Sequence, residues 1–237
     1  MIRWMRGIAF ALSIVGLLFL IQYQFISKDS ATWHLPLSGK IIVVDPGHGG
    51  IDGGAVSKQG LLEKEVTLAI SEHLRDYLQE AGALVLMTRE EDRDLAGEGT
   101  KKIRHRKIED LKRRVEIVNE SEADMFVTIH LNAIPSPKWS GAQTFYHRAI
   151  PENEGLAKFV QDQIRTNLEN TERIAKPIDN IFLLKKAEIP GVLVEAGFLS
   201  HPTEASMLQT EGYQDKVAAS IYQGIMRYYT NEEEPVS

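Results

Sequence analysis

Two histidines and two glutamates of this 237-residue chain have the residue types and spacing to bind a metal ion and move protons. They fall in Val44-Asp45-Pro46-Gly47-His48-Gly49-Gly50, Gly60-Leu61-Leu62-Glu63-Lys64, Thr128-Ile129-His130-Leu131-Asn132-Ala133 and Leu193-Val194-Glu195-Ala196-Gly197-Phe198. His48, His130 and Glu195 each close an apolar run. In an open α/β sheet, ligands bind in the crevice beyond the carboxyl ends of the strands, so three such runs would deliver their last side chains to one place. Glu63 would join them from the start of the next helix. Two imidazoles and one carboxylate leave a zinc ion its fourth position for water, the open arrangement of hydrolytic zinc. The second carboxylate is then free to handle protons.

Each segment alone admits a plainer reading. His48 lies among glycines that permit unusual backbone angles and close approach to a ligand, yet a structural histidine in a glycine-rich turn looks the same. The loop matches neither G-x-G-x-x-G nor G-x-x-x-x-G-K-[ST], which argues against a phosphate cradle. A lone His130 behind Phe126-Val127-Thr128-Ile129 reads as a hydrogen-bonded core histidine; a second histidine at a strand end shifts that reading toward a ligand. Glu63 gains from the helix dipole whatever its chemistry, and spacing alone does not separate it from Glu65. Glu195 follows Val192-Leu193-Val194, where a buried charge is costly unless paired or used. Its structural alternative is a salt bridge with Lys185, Lys186 or Arg89. His73, beside Ile70 and Tyr77, suits packing, and His34, His105 and His201 suit exposed positions. His147, just past a strand, is a spare candidate for substrate contact. The absence of H-E-x-x-H excludes the helix-borne zincin arrangement.

Such side chains require several buried strands ending on one side. Ile41-Ile42-Val43-Val44, Ala83-Leu84-Val85-Leu86-Met87, Met125-Phe126-Val127-Thr128-Ile129 and Val192-Leu193-Val194 are runs of the kind covered on both faces of a parallel sheet. Residues 64–81 show helical periodicity with Gly82 as the stop. Further helices are predicted over 111–122, 153–170 and 213–229, with a strand near 142–146. The alternation predicts an α/β single domain with a twisted, mostly parallel central sheet flanked by helices. The charged stretch from Arg89 to Asp110 reads as an exposed excursion. Its basic part, Lys101 to Arg114, reads as a solvated loop leading into a helix; the sharper alternative is a patch for an anionic polymer or a partner protein. Thr230 to Ser237 should fray.

A hydrophobic content of 43% supports one core of ordinary size. With no cysteine there is no disulfide framework, thiolate metal site or cysteine nucleophile. A formal charge of -6 gives no electrostatic reason to expect nucleic acid. No charged residue occurs from Gly7 to Ser27, and Ile8 to Ile21 is broken only by Ser13 and Gly16, approaching the roughly 20 residues that cross a bilayer. Arg3 and Arg6 precede this run, the charge order of an amino terminus kept in the cytoplasm and a body delivered outside. A cleaved signal peptide is the alternative, but Gln22-Tyr23-Gln24-Phe25-Ile26-Ser27 holds no A-x-A site, which favours an uncleaved transmembrane helix. The expected organisation is a signal anchor at 1–27, a stalk at 28–39, a catalytic domain at 40–230 and a flexible tail at 231–237.

Taken together, the four segments resemble the zinc-dependent N-acetylmuramoyl-L-alanine amidases of the Amidase_3 type over approximately Lys40 to Tyr229. The resemblance implies that His48, Glu63 and His130 bind zinc, which selects Glu63 over Glu65. It makes Glu195 the catalytic acid/base and Asn132 a substrate-binding or orienting residue. Thr128 replaces a usual Ser, and His201 stands where an Asn often follows; neither change removes a ligand or the acid. The anchor and the basic insertion look most like the germination-specific members, which act in spore cortex maturation and muramic δ-lactam formation. The resemblance implies peptidoglycan glycan strands with stem peptides as substrate and leaves a protein activator open as a further partner; the anchor implies an extracytoplasmic location at the membrane, or secretion if it is cleaved. The competing classes are a zinc carboxypeptidase or endopeptidase acting on stem peptides, and a non-catalytic wall-binding protein. Loss of a ligand would mark the latter, and all four positions are present.

Overall fold

In the computed structural model, which describes residues 4, 5, 7, 12–19, 22, 35–230 and 232–235, the apolar runs become neighbours in one sheet. Strands β1 (Ile41–Pro46), β2 (Leu84–Met87), β3 (Met125–Asn132) and β6 (Gly191–Phe198) run parallel. Between β3 and β6 in the chain come β4 (Gln143–Tyr146), which pairs antiparallel with β6, and the two-residue β5 (Lys176–Pro177). The sheet order is β2-β1-β3-β6-β4-β5.

Alternate residues of the central strands feed two cores. Ile42, Val44, Val127, Ile129, Val192 and Val194 meet helices α1 (Glu63–Glu80), α3 (Glu152–Leu168) and α6 (Glu211–Tyr229) on one face. Val43, Phe126 and Leu193 meet Val118 of α2 (Ile103–Glu120) and Leu183 and Leu184 of the short α4 (Phe182–Lys186) on the other. Burial on both faces explains why these strands read as unbroken apolar runs. A last short helix, α5 (Pro202–Leu208), follows β6.

The fold expected for the body is present, with three corrections. First, α2 starts at Ile103, eight residues before the expected Leu111; the stretch ahead of it is largely exposed, as expected, and is pinned at a few points. Arg89 and Asp110 are buried, and Arg106 closes a salt bridge on Asp94 at 2.5 Å. Second, His147 lies beyond the end of antiparallel β4, where Tyr146 pairs with Val192, so it stands toward the start of β6, away from Glu195, and is not part of the cavity lining. Third, His201 is half-buried and caps α5, its Nδ1 accepting from Glu204 N–H at 3.2 Å. The tail is tied by exposed ion pairs, Arg227 to Glu232 at 2.8 Å and Lys158 to Glu234 at 2.7 Å, contacts of small energetic weight.

By compactness the chain divides into two units, residues 1–35 and 36–237. In the first, residues 12–19 are helical and exposed. Among the described residues no helix is long and apolar enough to cross a membrane, and most of the expected anchor and stalk, with His34, lies outside the described residues.

Candidate active site

β1 ends in Asp45-Pro46, and the chain then turns through Gly47 and His48. His48 has φ 63, the left-handed region that non-glycine residues seldom adopt. The turn is held from below: Arg114 of α2 donates to Pro46 O at 2.7 Å and His48 O at 2.5 Å, and Arg89 donates to Pro46 O at 3.1 Å and Gly47 O at 3.0 Å. Arg114 also bonds Asp45 at 2.6 Å and Asp110 at 2.8 Å, while Thr88 and Thr128 donate to Asp45 at 2.6 and 2.5 Å. Burial disfavours the Asp45 charge, but Arg114 and the two hydroxyls outweigh it and hold the carboxyl below its ordinary range. Gly47 is required by close approach, since a Cβ there would stand 2.4 Å from His130 Cε1.

Three ligand-capable atoms converge above this support. His48 Nε2 lies 3.2 Å and His130 Nδ1 3.1 Å from Glu63 Oε1, and the ligand atoms of all three residues fall within 4.8 Å of one another. Glu63 opens α1 and is buried, whereas Glu65 is exposed, so geometry separates the pair that spacing could not. Leu131 N–H at 2.9 Å and Ala55 N–H at 2.7 Å fix the Glu63 carboxylate. Burial works against its charge, but the two imidazoles hold its pKa well below the usual carboxylate range. Gly54, at φ 68, leaves room for it; a Cβ would meet Glu63 Oε2 at 2.5 Å.

One contributor was missed by sequence reasoning. Asp52 Oδ2 lies 3.0 Å from His48 Nδ1 and is itself fixed by Lys107 of α2 at 2.7 Å. A carboxylate on the far nitrogen orients an imidazole and commits its other nitrogen to a metal. Its only signal in the sequence is the spacing of four residues from His48. Burial lowers the pKa of His48, yet the hydrogen bonds to Asp52 and Glu63 prevail and raise it to about 9 in the absence of a metal.

Glu195 faces His130 across β6 and β3 as its register partner. The expected alternative of a salt bridge is not realised: its Oε2 is buried with no hydrogen-bond partner, and Arg89 is committed to backbone carbonyls. Burial raises the Glu195 pKa to about 7, with the Glu63 charge adding and the histidines opposing. A cavity of about 340 Å³ opens over these residues, walled by Leu111, Ile181, Phe182 and Leu193 with Lys107 at its edge. Asn132 ends β3 opposite Phe198, beside the site but outside the cavity lining.

The family of N-acetylmuramoyl-L-alanine amidases designated Amidase_3 matches residues 42–227, the whole span that builds this site. The chain belongs to that family. The amidase is 57% identical over 232 residues, covering 98% of each chain, to a germination-specific N-acetylmuramoyl-L-alanine amidase of Bacillus subtilis. Its fold matches the CwlD amidase of Clostridioides difficile, solved in complex with the GerS lipoprotein, at TM-score 0.80 and 43% identity, covering 82% of this amidase and 100% of that chain. An N-acetylmuramoyl-L-alanine amidase of Clostridium difficile 630 matches at TM-score 0.72 and 30% identity, over 82% of this amidase and 98% of that chain.

Proposed function

We propose that the chain is a zinc amidohydrolase that cuts the amide between the lactyl group of N-acetylmuramic acid and L-alanine of the stem peptide, in spore cortex maturation and germination. The observation that carries the chemistry is the convergence of His48, Glu63 and His130 beside the Glu195 carboxylate, whose buried Oε2 has no hydrogen-bond partner. Identity of 57% over nearly the full chain supports the germination role.

The donor set fits zinc: two imidazole nitrogens and one carboxylate oxygen converge, one imidazole is oriented by Asp52, and an open side faces the cavity. Zinc held there would supply Lewis acidity, polarising the amide carbonyl and making water acidic near neutral pH. Glu195, poised near neutrality, accepts the proton of the attacking water at its free oxygen and passes it to the departing L-alanine amine. Leu193 and Phe182 give the cavity an apolar wall beside that transfer. Asn132, at the end of β3, serves the substrate. A signal anchor at 1–27 would hold the domain outside the membrane, and a protein partner is suggested by the lipoprotein complex of the CwlD relative.

The test is mass spectrometry of muropeptides released from intact peptidoglycan by the full chain, with and without zinc. The expected products are intact stem peptides with a new L-alanine amino terminus, formed only with zinc. Cleavage elsewhere in the stem would replace the amidase reading with a peptidase one.

A further inference from the structure

On the β4 side of Glu195, away from the cavity, stands a cluster that the amide chemistry does not use. Gln143 is the register partner of Glu195 across β4 and β6, and its Oε1 accepts from Arg173 Nη1 at 3.3 Å. Arg173 also donates from Nη2 to Ser140 O at 3.2 Å. Its guanidinium lies over two aromatic rings, 5.6 Å from the Trp139 centroid and 5.4 Å from that of Phe198. Trp139 nevertheless remains 52% exposed. A guanidinium carries five N–H donors, and among the described residues that of Arg173 gives hydrogen bonds to Gln143 and Ser140 alone, its backbone N–H going to Thr171 Oγ1.

An exposed indole held in place by a stacked cation is a platform, and its chemistry selects the ligand. A pyranose with equatorial substituents presents a flat face of C–H bonds, made weakly positive by neighbouring oxygens, to the negative π face of the ring. The hydroxyl and acetamido oxygens then lie at the sugar's edge, where the remaining guanidinium donors can reach them. A peptide offers no comparable flat face. A single-stranded nucleic acid would need a basic groove tracking its backbone, and one arginine in a chain of net charge -6 does not supply it.

We infer that Trp139, Arg173 and Gln143 form a subsite for a pyranose of the glycan strand next to the reacting amide, leaving the cavity on the other side of Glu195 for the stem peptide. This rests on the amidase reading above and adds which part of the substrate lies on which side. One strand and one side chain separate the platform from Glu195, so the sugar it takes is the muramic acid that bears the amide or its neighbour.

The probe is a peptide-free β-1,4-linked N-acetylglucosamine oligosaccharide, titrated into the zinc-loaded full chain and followed by NMR saturation transfer to the sugar C–H protons. Binding should weaken about tenfold in Trp139→Ala and be largely kept in Trp139→Phe, whose ring restores the platform. Unchanged affinity in Trp139→Ala, or no binding by a wild type that still releases stem peptides, would overturn the subsite and leave the amidase reading standing. A wild type that binds the oligosaccharide through Trp139 but releases no stem peptide would keep the subsite and overturn the amidase reading.

Discussion

Two carboxylates in the carboxyl-terminal halves of parallel strands, the buried Asp45 on β1 and the half-buried Glu195 on β6, have opposite fates. Asp45 is surrounded by Arg114, Thr88 and Thr128 and is held ionised. Glu195 has a buried oxygen with no partner and a pKa near 7. A buried charge that is paired and fully hydrogen-bonded fixes geometry, whereas one left alone titrates near neutrality and can exchange protons. One corner is the scaffold of the site and the other its chemistry.

The contrast is tested most severely at Glu195. Glu195→Gln should lower turnover by about 10²- to 10⁴-fold, the worth of a general acid/base, while zinc content by plasma mass spectrometry stays stoichiometric. Residual turnover near wild type would remove Glu195 from the reaction. The same variant should be more stable than wild type when metal-free, with a definite pH dependence. The folded pKa lies above the unfolded carboxyl value of about 4.3, so wild type loses stability as pH rises from about 4 to about 7, and its deficit is constant above. Urea unfolding at pH 4 and pH 8 reads the difference: none at pH 4, a clear gain at pH 8.

The paired corner should fail structurally instead. Arg114→Met leaves Asp45 and Asp110 buried without their cation, a loss of about 3–5 kcal/mol of the kind seen when one partner of a buried pair is removed. Adding Asp45→Asn should restore part of it, and a double-mutant cycle measures how much. A thermal midpoint unchanged in Arg114→Met would contradict the scaffold role. Between these extremes, Asp52→Ala removes the carboxylate that orients His48 and should weaken zinc binding about 10- to 100-fold by competition with a chelating dye. Smallest of all, Glu65→Ala should change neither zinc content nor turnover and should alter stability by less than about 0.5 kcal/mol, because only Glu63 points into the site.

Much of this arrangement was legible before any coordinates. β1, β3 and β6 begin as continuous β-branched or apolar runs because both of their faces are covered, and each run leads into a residue with chemistry. The start of α2 was not legible, because its amino-terminal turns face their neighbours through Arg106, Lys107, Asp110 and Arg114, and ion pairs leave no apolar periodicity to read. The same gap hid Asp52, whose role exists only once Lys107 and His48 meet in space. The position of His147 along the sheet was not legible for a different reason: alternating strands and helices suggest parallel pairing, and nothing local in Gln143-Thr144-Phe145-Tyr146 announces that β4 runs the other way. The choice between Glu63 and Glu65 needed the helix phase that tertiary packing sets.

That reversed strand has a consequence for how the protein can change over generations. β3 finishes and β4 begins at the same end of the sheet, so residues 133–142 pass the end of β6 without having to traverse the molecule. The exposed part of such a connection can lengthen, shorten or exchange residues at little cost to the core, while Gly141 and Ala142 at its end are buried and His48, Glu63 and His130 lie outside it. Trp139 rides on that connection. Substrate preference can therefore drift by mutation in one short stretch, on a scaffold whose hydrolytic centre is inherited intact.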